Sequence, residues 1–382
     1  MREYPDFRTG EPPEFLFQKY GSLEDFFRQS ISHADVNLDS AYIDTLVSTF
    51  PTFGDLFTAT GEELMNGFEQ AVVPTTPAIL NELRITVERH LVFEDVSDVR
   101  EKVVNDIIEP KFEDLPRDID DIVVGSNPGD VIDPFLVALN KQLLTDGGTK
   151  PLVRNIIVHK CLMKFEDLMG HLHEHTLGRA GGCEWIPEPS GDQKYEYDSV
   201  ENPYLGADAR RDESEFFEIK NKTGSEKGSG GEKIGTQMKK LGDVYEGSER
   251  YYTSVIGQTL KGHRSKGAAE RADPELEVLV GLTTIQKIGL HKNTPRVLLE
   301  FYLELFTEAA EKSDFDIENV VEHVTEQWEE RYGEEDPLEG ILYWSIVGDP
   351  RQQTNETYDP WRETVSKDSN QTTLEEYVPD LG

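Results

Sequence analysis

The chain has 382 residues, of which 75 are acidic and 38 basic, giving a formal charge of −37. That length can bury a sizeable core and predicts two or three domains. The absence of a long apolar run excludes a membrane protein and predicts a cytoplasmic one, and two cysteines, Cys161 and Cys183, are too few for a disulfide scaffold.

Taken alone, the charge argues against a nucleic-acid partner. It is spread along nearly the whole chain over an intact apolar periodicity, however. This is the pattern of a protein from a halophilic source, where molar salt screens repulsion between carboxylates. The balance reverses between Lys220 and Arg271, with eleven basic residues against six acidic ones. A local cationic excess in such a chain predicts a bound polyanion.

Residues 1–150 read as a mainly helical acidic domain. Ser22-Leu23-Glu24-Asp25 opens one helix with a capping pattern, and Asp39 or Ser40 opens another running to Phe50. Residues 46–64, around Gly54, predict two short helices joined by a tight turn. An ordinary helical hairpin is the preferred reading; a resemblance to helix-hairpin-helix modules, whose turn binds DNA phosphates, is the alternative. Helices follow at 79–93 and 96–111, and residues 116–134, rich in Asp, Gly and Pro, predict a linker. From 151, Leu152, Ile156, Leu168 and Leu172 recur at helical spacing to about 177, where Gly178 to Gly182 stop the helix. Strands are predicted at 183–186, 204–208 and 215–221, then a helix at 232–245 and a fourth strand at 275–284. Amphipathic helices at 295–312 and 317–332 precede a tail without periodicity from about 349. The domains implied are 1–150, an α/β (α+β) catalytic domain at 151–345, and a tail at 346–382.

The strand at 215–221 reads EFFEIKN, with Phe217 and Ile219 on a core face and Glu218 and Lys220 on a charged one. Nine residues separate Glu218 from Asp208, enough for a hairpin that brings both carboxylates beside Lys220. Two carboxylates hold a hard cation such as Mg²⁺, and a neighbouring amine orients water and offsets developing charge, which is the equipment for phosphodiester hydrolysis. This triplet, in a strand followed by a helix carrying Gln237, Lys239 and Lys240, resembles the PD-(D/E)XK nuclease superfamily, which includes most type II restriction endonucleases. Ala207-Asp208 stands in place of the family's Pro-Asp.

The resemblance implies a core of helix, three-strand meander, helix and strand. It implies Mg²⁺ as cofactor, Asp208 and Glu218 as ligands, Lys220 as the residue that activates water, and an additional acidic ligand from the preceding helix, Glu174 before Glu166. It further implies double-stranded DNA as substrate and a homodimer matching a palindromic site.

Lys222, Lys239, Lys240, Lys261, Arg264 and Lys266 are the candidate DNA contacts. Arg264 and Lys266 fall in a glycine-flanked stretch, Gly262 to Gly267, that predicts a basic loop with Arg264 as the reader of guanine. His171, His173 and His175 do not read as a zinc site, because helical neighbours two apart diverge by about 200° and no second Cys pair accompanies them. The glycine-rich stretch at 223–233 lacks the phosphate-loop pattern, so a nuclease here works without a motor. In the tail, Gln371, Leu374 and Tyr377 resemble the sliding-clamp-binding motif, with Val378 where a second aromatic stands. Used as such, the motif moves the reading from restriction towards a repair nuclease. The reading from a different class is a DNA-binding protein in which the triplet has no catalytic part.

Overall fold

A computed structural model of the chain describes residues 11–32, 40–71, 76–123, 132–144, 148–187, 204, 206–222, 228–257 and 264–332. Within them the protein is mixed α/β, mostly helical, with one five-stranded mixed sheet. It divides into two units, one formed by residues 1–115 and 163–315, the other by 116–162 and 316–382.

The first unit opens with a bundle of α1 (Glu14–Tyr20), α2 (Leu23–Ile31), α3 (Ser40–Thr49), α4 (Phe53–Thr58), α5 (Gly61–Ala71) and α6 (Pro77–Val92). Leu16, Phe26, Phe27, Leu46, Phe57 and Phe68 lie in its core. The bundle contains a repeat that the sequence reading passes over. Tyr20-Gly21-Ser22-Leu23-Glu24-Asp25-Phe26-Phe27 is matched by Phe50-Pro51-Thr52-Phe53-Gly54-Asp55-Leu56-Phe57, and the equivalent apolar positions are buried in both copies. Ser22 and Thr52 cap α2 and α4 identically, accepting from the N–H of Asp25 and of Asp55 at 3.1 Å. Residues 46–64 thus hold parts of three helices, α3, α4 and α5, where two were expected. The additional break is the start of α4 at Thr52, after Pro51; the helix expected from Thr60 is present, and Thr60 exchanges backbone-to-side-chain bonds with Glu63 at 2.7 and 3.0 Å.

The helical run expected at 96–111 is α7 (Val96–Val103), a π turn at Val104–Ile108, and α8 (Glu109–Glu113). The wider turn lies immediately before Pro110, which has no N–H to continue the ladder. In the second unit, α9 (Ile119–Val123) occupies part of the expected linker and α10 (Pro134–Leu144) follows it. The next helix, α11 (Thr149–Leu177), matches the helix expected from 151.

β1 (Glu184–Trp185), β2 (Ala209–Arg211), β3 (Glu215–Lys222), α12 (Gly228–Val244), β4 (Glu249–Ile256), α13 (Arg264–Ala272) and β5 (Glu277–Val280) build the sheet and its crossovers in the order β1-β2-β3-β4-β5. The first three strands pair antiparallel, and β4 and β5 continue parallel to β3, as strands linked by helices do. Three details correct the expectations. The second strand begins at Ala209, just after the predicted 204–208. The strand beside β3 is β4, ERYYTSVI, where none is predicted. Finally, Gly281, at φ 60°, ends β5, so the last three residues of the expected strand at 275–284 belong to α14 (Leu282–Gly289).

β3 is covered on both faces. Phe217 and Ile219 join Ala209, Tyr251 and Leu279 in the core shared with Leu168 and Leu172 of α11 and with Phe301 of α15 (Thr294–Lys312). Phe216 and Tyr252 pack on Ile234, Met238 and Leu241 of α12. The face expected to be purely charged is therefore apolar at Phe216, as a strand with a parallel neighbour and a crossover helix requires. α12 and α13 cross closely through Gly231 and Gly235, where a Cβ would overlap the carbonyl oxygens of Ser265 and Ala269.

In the second unit α16 (Ile317–Tyr332) meets α9: Gln327 Oε1 accepts from Ile119 N–H at 2.9 Å, and Arg331 pairs with Asp120 at 2.6 Å. Val321, Val324 and Trp328 are buried. Among the described residues no helix is long and apolar enough to cross a membrane.

Candidate active site

The β2–β3 ladder pairs Ala209 with Phe217, and Asp208 N–H donates to Phe217 O at 2.8 Å, which sets Asp208 beside Glu218. The Asp208 carboxylate is pinned to the neighbouring strand, because its Oδ2 accepts from the backbone N–H of Ile219 at 2.6 Å. β4 braces the other side through Thr253, whose hydroxyl donates to Glu218 O at 2.9 Å. Lys220, two residues further along the same face, places Nζ 2.7 Å from Glu218 Oε1 and 3.9 Å from Asp208 Oδ2. The three residues that the sequence reading joined are thus brought together.

Burial shapes their electrostatics. The side chains of Asp208, Glu218 and Lys220 are 16%, 10% and 19% exposed. Burial and the adjacent Glu218 push the Asp208 carboxyl well above the usual carboxylate range, against the opposing pull of Lys220 and the Ile219 N–H. For Lys220, burial favours the neutral amine, but Glu218 and Asp208 outweigh it and hold the ammonium above its ordinary range. The arrangement is two carboxylates crowded around a single ammonium.

Glu174, near the end of α11, bears electrostatically on both Asp208 and Lys220, whereas Glu166 pairs with Lys222 at 2.9 Å. Of the two upstream candidates, Glu174 is the one near the cluster. His171 lies 3.7 Å from Glu174 and 3.9 Å from Asp167. His173 is buried against Tyr302, with Nδ1 3.1 Å from the hydroxyl, and the His175 ring lies tilted against Trp185 with centroids 4.0 Å apart. The three rings thus face three different surroundings. Among the described residues no three His, Cys, Asp or Glu side chains are grouped as metal ligands. The donors at Asp208 and Glu218 nevertheless suit Mg²⁺ chemically: they are hard carboxylate oxygens, and their mutual repulsion in a buried site is relieved by a cation.

The candidate DNA contacts are dispersed. Lys239 and Lys240 are exposed on α12, and Lys222 ends β3. Arg264 and Lys266 stand in the first turn of α13 and not in a loop; Ser265, Ala268 and Ala269, at helical spacing, are buried and outweigh the flanking glycines. Lys266 pairs with Glu270 at 3.3 Å. Lys261, Gln371, Leu374 and Tyr377 lie outside the described residues.

No protein-family model and no curated protein matches the chain. The reading of the site therefore rests on its own geometry. That geometry contains two residues the sequence reading omits, Thr253, which braces Glu218, and Tyr251, whose ring stacks on Phe217 with centroids 5.0 Å apart. The β-branched and aromatic run Tyr251-Tyr252-Thr253 is the signal that could have revealed them.

Proposed function

We propose that the protein is a Mg²⁺-dependent endonuclease of PD-(D/E)XK type that hydrolyses phosphodiester bonds of double-stranded DNA, as type II restriction enzymes do. The observation that carries the reading is the convergence of Asp208, Glu218 and Lys220 on one end of the β2–β3 pair. The order of elements supports it: α11, the antiparallel meander β1-β2-β3, α12 and the parallel strand β4 follow the succession that the resemblance implies. Asp208 and Glu218 would hold the cation, with Glu174 as the additional carboxylate near them. Bound Mg²⁺ supplies positive charge at the phosphoryl group. Lys220 donates a hydrogen bond to the attacking water and offsets charge developing on the phosphate. The pinned Asp208 carboxylate and the braced backbone of Glu218 keep these partners oriented, so little rearrangement opposes the reaction.

The test is incubation of the full chain with plasmid DNA and Mg²⁺ in concentrated KCl. The expected result is a set of discrete fragments, lost in Asp208→Asn and Lys220→Ala by at least about a thousandfold in rate, the scale set by loss of a group acting in the transition state. Both variants should keep the melting temperature within a few degrees. Cleavage by Lys220→Ala at the parental rate refutes the assignment. Cleavage confined to branched substrates replaces restriction with repair.

A further inference from the structure

In this structure the carboxylate pair already has a cation, the ammonium of Lys220. It stands 2.7 Å from Glu218 and 3.9 Å from Asp208, with Glu174 as the next carboxylate to influence it. The Asp208 carboxylate has little freedom to turn away, because it is tied to Ile219 N–H, and Thr253 fixes the backbone from which Glu218 extends. Lys220 itself is paired with Ser254 of β4 at the backbone, and its four-carbon stem is the longest flexible arm of the cluster. A divalent cation drawn to the same oxygens would meet a like charge within a few ångström, in surroundings that screen poorly.

We propose that Lys220 is the resident counter-ion of the cation-free site, and that a divalent cation enters as the ammonium moves from Glu218 to an anion supplied by the substrate phosphate. This rests on the nuclease reading above. It makes Lys220 an antagonist of metal binding in the absence of substrate, as well as a participant once substrate is present. Cation and phosphodiester then bind cooperatively, each strengthening the other by the same factor, because each removes part of what opposes the other.

Binding of Mn²⁺ to the full chain, followed by the loss of the free-ion paramagnetic resonance signal at constant KCl, tests the proposal without reference to activity. Lys220→Met, which keeps the stem and removes the charge, should bind Mn²⁺ at least about tenfold more tightly than the parent, whereas Lys220→Arg should not. Equal or weaker binding by Lys220→Met overturns the proposal; if parental binding is still lost in Asp208→Asn, the metal site and the nuclease reading stand. No Mn²⁺ binding by any form overturns both. Should Lys220→Met prove too unstable to titrate, its melting temperature serves instead. Mn²⁺ is expected to raise it more than that of the parent, and an equal rise overturns the proposal.

Discussion

His173 and His291 are buried with neutral rings, and burial holds their pKa values at about 4 and about 3. In the unfolded chain both titrate near 6.5, so the unfolded state binds more protons once the pH drops below that value. Their contribution to stability is complete above pH 6.5 and is lost as the pH falls towards the folded values, at about 1.4 kcal/mol per pH unit for each ring. Melting measured at about pH 7.5 and about pH 5 should show this fall. His291→Asn, which retains a short acceptor for the Asn293 N–H, should reduce it by about 2 kcal/mol. At this scale the site itself was legible: alternation in EFFEIKN and the gap back to Asp208 suffice to join three side chains. The burial of Phe216 on the charged face was not, because it depends on α12 lying across that face, a contact far outside the strand.

Between elements, glycines mark where helices approach each other. Gly235→Ala should destabilise the protein by about 1–3 kcal/mol, since the new methyl overlaps the Ala269 carbonyl and forces α12 from α13. Gly170→Ala, within α11 and with nothing within 4 Å of the added carbon, should stabilise by about 0.5–1 kcal/mol. Chemical denaturation of the two variants distinguishes a glycine needed for packing from one that only loosens a helix; shifts of the same sign would refute the distinction. The elements misread from sequence were each hidden by a local feature. α13 was hidden by the glycines beside its small buried face, and β4 by a run of Tyr, Thr and Ser without clear alternation. The end of β5 turned on Gly281, whose left-handed φ converts an apolar run from strand to helix within one residue. By contrast, α11, α15 and α16 carry long apolar periodicities, and periodicity survives whatever packs on it.

For the whole molecule, the charge of −37 is a standing repulsion that depends on the solvent. α16 shows it locally: Glu318, Glu322, Glu326 and Glu330 stand exposed one turn apart, each a like charge for the next. Screening contracts from about 10 Å at 0.1 M salt to about 3 Å at 1 M, so raising KCl from about 0.1 M to about 2 M should raise the melting temperature by several degrees. A melting temperature independent of KCl would contradict this.

The two units are also interleaved along the chain, each built from an early segment and a late one. In the first, Arg100 binds Glu308 at 2.5 Å; in the second, Arg331 binds Asp120 at 2.6 Å. Both contacts join residues more than 200 positions apart. A single break in the backbone anywhere from 116 to 315 therefore leaves each unit with a piece on either side of the cut. The severed halves would stay joined through two cores at once, so a nicked chain would behave as a non-covalent heterodimer of its own fragments, held by the surfaces that fold the intact protein.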